Sequence, residues 1–386
     1  MRKKIIITVI VIAIIILGIL LNNKNIFSNA EESKSAQEET PIAQQNLIID
    51  EKVDKIVASM SKTEKIGQMV MIGIQGTKVD DDSLYMLHQF HMGGVILFDR
   101  NMESPEQVKQ LTSDLQTQSN EKVPLFIGVD EEGGDVVRMA EKLTPPPSQK
   151  EIGATGDTEQ AKTWAIKTAK SLKEMGINVN FAPVADVGSN DNRSYSTDVN
   201  TVINFVKAAT TGYQQENIIY SLKHFPGIGK GQVDSHVESS SINASKEVLM
   251  AEDILPFKTI INENKPEDYF ILVSHLNYPA LDEEYPASLS SKIMTDLLRN
   301  ELGYKGIIIT DDMEMGAVAN HNDFKTVGVN AVKAGADIVL VCHEYQHEQD
   351  VYLGLLDAVD NGEISQQRID ESVKRIVKAK LLHLYQ

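Results

Sequence analysis

The amino-acid sequence predicts an α/β protein of the (β/α)8 TIM-barrel type, and three observations carry that reading. Eight short apolar runs occur in order, each followed by a segment with helix-like patterning. The runs are almost continuously apolar rather than alternating, as strands of a parallel sheet buried on both faces must be. Charged and hydrogen-bonding residues gather just after the same end of several runs, which in a barrel is the end where ligands sit.

The first run is Met69-Val70-Met71-Ile72-Gly73. Residues 49–68 before it look helical, with Ser61 and Glu64 spaced as a capping box for a second helix. The second run is Gly94-Val95-Ile96-Leu97-Phe98, with a helix from Pro105 to Ser119 after it. The third is 125–129, followed by a helix at 158–175, and the fourth is 179–184, followed by a helix at about 200–215. The fifth is Ile218-Ile219-Tyr220-Ser221-Leu222, whose β-branched and aromatic content marks a strand. The last three are 269–274, 306–310 and 337–341, and two helices at about 348–360 and 365–383 close the chain. A doubly wound open sheet is the competing architecture. No Gly-x-Gly-x-x-Gly follows the first strand, which weakens a dinucleotide site.

With 386 residues, 42% hydrophobic and 24% charged, the chain has ample material for one large core. Net charge is −18; Arg2, Lys3, Lys4 and Lys24 give residues 1–30 a charge of +4, leaving −22 on the rest. Such a surface repels nucleic acid, and no basic patch offsets it. The single cysteine, Cys342, rules out an intramolecular disulfide and reads as a buried, inert thiol in an apolar run. No paired-cysteine spacing suggests a metal, and no cofactor motif is apparent.

Arg2-Lys3-Lys4 precede Ile5 to Leu21, a run free of charge. Residues 1–30 therefore read as a signal peptide, with Ser28-Asn29-Ala30 as a small-x-small cleavage site, or as an uncleaved membrane anchor. Either engages the membrane or the secretion machinery and places the folded part outside the cytoplasmic membrane. Residues 31–48 are polar and read as a flexible spacer, and 49–386 as the barrel domain.

The chemistry concentrates after the fifth run, in Lys223-His224-Phe225-Pro226-Gly227 and onward to Asp234-Ser235-His236. Pro226 and three glycines force an irregular loop. Asp234 lies two residues from His236, and a carboxylate that accepts from one imidazole nitrogen frees the other for proton transfer. The third run ends in Asp130-Glu131-Glu132-Gly133-Gly134, with Arg138 close behind; the fourth leads to Asp186 and Arg193. The sixth ends in Ser274-His275 and the seventh in Asp311-Asp312. Two arginines, a lysine, a histidine and an aspartate suit a neutral polyhydroxylated ligand such as a sugar.

These stretches, with Ile309-Thr310-Asp311-Asp312-Met313-x-Met315 and Pro286-Ala287-Ser288-Leu289-Ser290, resemble glycoside hydrolase family 3, and within it the β-N-acetylglucosaminidases that trim peptidoglycan fragments. The resemblance runs from about residue 55 to the C-terminus. It implies a retaining exo-β-N-acetylglucosaminidase acting on GlcNAc-containing wall saccharides. Asp311 would be the nucleophile, and His236, oriented by Asp234, the acid/base. Asp130, Arg138, Arg193, Lys223 and His224 would hold the sugar. Ile228, Lys230 and Asp135 stand where many relatives have His, Asp and Arg. A phosphorylase, another family 3 β-glycosidase, a substrate-assisted hydrolase, a non-catalytic sugar-binding protein and a purely structural wall protein are the alternatives.

Overall fold

Strands that are apolar on both faces have to be covered inside and out, and closing the sheet on itself does this while removing its edges. The computed structural model shows that closure. It describes residues 41–119, 122–139, 143–188, 192–231, 240–319 and 323–385, with side chains from 47 on. The described residues from 52 to 385 form one compact unit, to which the described residues 41–51 do not belong.

The barrel strands are β1 (Val70–Gly73), β2 (Gly94–Leu97), β3 (Phe126–Val129), β4 (Val179–Asn180), β5 (Ile219–Phe225), β6 (Tyr269–Val273), β7 (Ile307–Asp312) and β8 (Ile338–Val341). Each pairs in parallel with the next, and β8 returns to β1 with Ile72 opposite Val341. The helices around them begin where a side chain can accept from the exposed backbone N–H groups of the first turn. Asp80, Ser104, Asp157, Asp198, Asp323 and Ser365 do this for Asp81–Phe90, Pro105–Gln118, Thr158–Glu174, Val199–Gln215, Phe324–Ala334 and Gln366–His383. The Ser61–Glu64 capping box is formed and starts the helix Lys62–Gln68.

At the N-terminal end of the barrel the buried Lys380 donates to Gln68 Oε1 and to the Gly93 carbonyl, with its ammonium 4.7 Å from the centre of the Phe126 ring. Nearby, Asp337 accepts from Arg299 and Arg375 and from the Ser372 hydroxyl, fastening the start of β8 to two surrounding helices.

Three departures from the sequence expectation bear on function. β4 is two residues long rather than six, because Pro183 has no N–H to give the ladder. β5 runs on through Phe225, so Lys223 and His224 are buried strand residues rather than the start of a loop. β7 extends to Asp312. Both extended strands shift register near their ends, β5 between Leu222 and Phe225 and β7 between Ile309 and Asp312. Such irregularities re-aim side chains next to active sites.

The helix expected from residue 49 starts at Pro41 and ends at Ser59, so residues 41–48 of the expected spacer are helical. Residues 1–30, and 31–40 of the spacer, lie outside the described residues. Among the described residues no helix is long and apolar enough to cross a membrane.

Candidate active site

β3 hands two carboxylates to the barrel mouth. Asp130 and Glu132 are two apart in extended chain and so share a face, while Glu131 between them is turned away. Asp130 accepts from Lys223 Nζ at 2.6 Å and lies 3.5 Å from Arg138. Glu132, its side chain 1% exposed, is 2.6 Å from the same Lys223 Nζ. Its two oxygens also accept from Arg193 Nε and Nη2, both at 2.8 Å. Burial by itself would raise the Glu132 carboxyl; Lys223 and Arg193 outweigh it and hold the group far below the ordinary carboxylate range. Burial would likewise lower the Lys223 ammonium, and Asp130 and Glu132 reverse that and raise it.

The network continues into β4 and β5. Arg193 Nη2 lies 3.0 Å from His224 Nε2, and His224 Nδ1 lies 2.8 Å from Asp186 Oδ2. An arginine can only donate, so Nε2 accepts and Nδ1 carries the proton toward Asp186. Asp186 Oδ1 accepts in addition from the backbone N–H groups of His224 and Ile228, at 3.2 and 2.9 Å. This ties the loop after β5 to the loop after β4. Gly229 in that loop passes so close to Val187 that an added Cβ would lie 2.0 Å from its carbonyl oxygen. Lys230 is paired with Asp253 and Glu252, fixing the next turn.

β7 supplies Asp311, whose Oδ1 accepts from the backbone N–H of Asp312 at 3.0 Å. Burial pushes its carboxyl up, but His275, His224, the Asp312 N–H and Lys223 together bring it below the ordinary value. Asp311 is thus ionised throughout the neutral range. The strand end is held from both sides. His275 Nε2 lies 2.8 Å from the Asp312 carbonyl, and His343 Nε2 lies 3.2 Å from Asp312 Oδ2. Glu314 accepts from the backbone N–H groups of Cys342, His343 and Glu344 and from His347, joining this turn to the segment after β8.

Asp130, Arg138, Arg193, Lys223, His224 and Asp311 all line one cavity of about 310 Å³. A second hollow of about 260 Å³ shares Asp130, Arg138, Lys223 and Asp311 with it and reaches past Phe98, Asp312 and His343. The structure therefore brings six of the eight sequence-identified site residues together. Asp234 and His236 lie outside the described residues. Glu132 and Asp186 are the two members given no role by sequence reasoning. The signal for Glu132 was its spacing of two from Asp130. Asp186 follows a strand cut short by Pro183, and no periodicity marks it. The arrangement joins a half-buried, ionised carboxylate to a ring of donors in one confined space, which is what nucleophilic attack on a bound sugar needs.

Residues 61–379 match the family described as "Glycosyl hydrolase family 3 N terminal domain". The chain belongs to glycosyl hydrolase family 3. Within that family, it is 34% identical over 326 residues to β-hexosaminidase A of Pseudoalteromonas piscicida, covering 76% of this chain and 54% of that one. It is 31% identical over 318 residues to the β-hexosaminidase of Nitrosomonas eutropha, covering 79% of this chain and 90% of the relative. Among solved structures, a family 3 β-N-acetylglucosaminidase from Paenibacillus sp. superposes with a TM-score of 0.82 at 36% identity, covering 84% of this chain and 63% of that one. The chain thus spans about half the length of the Pseudoalteromonas relative and under two thirds of the Paenibacillus protein.

Proposed function

We propose that this chain is a retaining exo-β-N-acetylglucosaminidase that removes terminal β-GlcNAc from wall-derived saccharides. One observation carries the reading: Asp311, half-buried and ionised, opens onto the same cavity as Asp130, Arg138, Arg193, Lys223 and His224. The hexosaminidase names of the relatives supply the amino-sugar preference.

In the first step an Asp311 oxygen bonds to the anomeric carbon as the glycosidic C–O bond breaks, and His236 gives its proton to the departing oxygen. In the second, His236 takes a proton from water, the water oxygen bonds to the same carbon, and the ester to Asp311 breaks. Asp234 is the positioning partner of His236. Arg138, Arg193 and Lys223 bring their donors to the wall of this cavity. A site built of donors aimed at a ligand rejects an analogue that leaves them unpaired. p-Nitrophenyl β-GlcNAc should therefore be cleaved at least ~10²-fold faster, in kcat/KM, than the β-glucoside. Its rate should be unchanged by added phosphate. Equal rates on the two glycosides would remove the amino-sugar reading, and turnover that requires phosphate would make the enzyme a phosphorylase.

We also propose an extracytoplasmic location, supported by the charged and apolar pattern of residues 1–30. A C-terminally tagged full chain should fractionate with the membrane or the medium. Recovery of full-length protein in the cytosol would overturn it.

A further inference from the structure

Glu131, turned away from the catalytic cavity, belongs to another one. A groove of about 570 Å³ runs along the helix Thr158–Glu174, lined by Glu131, Leu143, Pro146, Trp164, Lys167 and Lys170, with Thr168 and Ser171 between them. None of these residues lines the catalytic cavity. We propose that the groove is a second saccharide site, taking an amino sugar that bears a carboxylate.

Each part of that ligand has a counterpart in the groove. Trp164 is half-buried, and the indole surface that the Lys167 ammonium does not cover is apolar and suits the C–H groups of a pyranose. Lys167 places its ammonium 4.4 Å from the centre of that indole, and Lys170 sits one helical turn from Lys167. Two cations beside an aromatic surface, on a chain of net charge −18, complement a carboxylate. The acids that face them are Glu216, 3.6 Å from Lys170, and Glu131. Glu131 is 4% exposed, and burial, partly offset by the Arg138 backbone N–H, pushes its carboxyl up to about 7. It therefore carries little opposing charge below that pH and presents a hydrogen-bonding group to sugar hydroxyls.

Glu131 also links the groove to the catalytic rim. Its carboxylate accepts from the backbone N–H of Arg138 at 2.7 Å. Its own peptide is clamped by the Asn180 amide, which accepts from the N–H at 3.0 Å and donates to the carbonyl at 3.1 Å. A sugar held by Glu131 thus bears on the segment that carries Asp130 and Arg138. The choice of an amino sugar rests on the function proposed above; the groove, its tryptophan and its lysines do not.

The chain has one tryptophan, so its emission reports on this groove alone. Titration of the full chain with N-acetylmuramic acid should give a saturable change in emission, with GlcNAc weaker by about tenfold or more for want of the carboxylate. The double variant Lys167→Ala/Lys170→Ala, both on the helix exterior, should lose about tenfold or more in affinity for N-acetylmuramic acid. Its turnover of p-nitrophenyl β-GlcNAc should be unchanged. No saturable signal by emission or by calorimetry would overturn the proposal, and so would equal binding of the two sugars or a double variant that binds as the native chain does. Binding without any β-GlcNAc hydrolysis would uphold the groove and sink the enzymatic reading; hydrolysis without binding would do the reverse.

Discussion

Asp311→Asn should lower kcat on p-nitrophenyl β-GlcNAc by about 10⁴-fold or more, with the fold intact. The amide keeps the shape of the carboxylate and can still accept from the Asp312 N–H at 3.0 Å, so the strand end has no reason to move. What it loses is the charge that bonds to the anomeric carbon, and no neighbouring group replaces it in the proposed mechanism. In the native enzyme the acid limb of kcat/KM should fall below the ordinary carboxylate range, because His275, His224, the Asp312 N–H and Lys223 hold the Asp311 carboxyl down against its burial. A 5-fluoro glycosyl donor followed by mass spectrometry should label the peptide containing Asp311. An asparagine variant within tenfold of native, or label on another residue, would remove Asp311 from the nucleophile's role.

Lys223→Met should damage both activity and stability. The ammonium, with its side chain 4% exposed, bridges Asp130 and Glu132, and a methionine of similar length leaves both carboxylates without it. Breaking a buried pair by removing one partner costs about 3–5 kcal/mol. Arg193 still holds Glu132, so the low end applies: roughly 3 kcal/mol, or a fall in Tm of about 5–10 °C. The pH dependence has a defined sign. Glu132 is lowered from 4.5 in the folded protein, so its contribution is fully present above that value and is lost as pH falls through the folded one. The variant should therefore show a flatter decline of Tm between neutral and acidic pH than the native chain. Lys223 is raised from 10.5, so its own contribution is present below that value and disappears only in strong alkali. A Tm within 1–2 °C of native, roughly the effect of half a kcal/mol or less, would mean the bridge is not stabilising.

The barrel was legible because each strand is a contiguous apolar run, and contiguous patterns survive in one dimension. Strand ends were less so. Lys223 and His224 are polar, so the apolar run stops at Leu222, yet the ladder continues to Phe225 because Asp130, Glu132 and Asp186 neutralise or hydrogen-bond what the barrel buries. The site residues on strand ends could be found from position alone. The pairing among them could not, since Glu132 and Arg193 are 61 residues apart and meet only after folding. Glu131 illustrates the same limit: it sits inside the most conspicuous acidic triplet of the chain, and only the course of the backbone shows that it faces a different cavity.

The ion network from Asp130 through Lys223, Glu132 and Arg193 to His224 and Asp186 has a consequence for how this site can change over generations. Each cation answers to carboxylates on other strands, and each carboxylate to more than one donor. A lone substitution leaves a buried charge short of a partner, so one-at-a-time drift is costly at these positions. Change here has to arrive as matched exchanges, an acid and a base leaving together. Side chains outside the network, such as that of Ile228 at the cavity wall, carry no such obligation. Diversification of what the enzyme accepts is therefore channelled to the rim, while the ionic lattice beneath it behaves as a unit that is inherited whole.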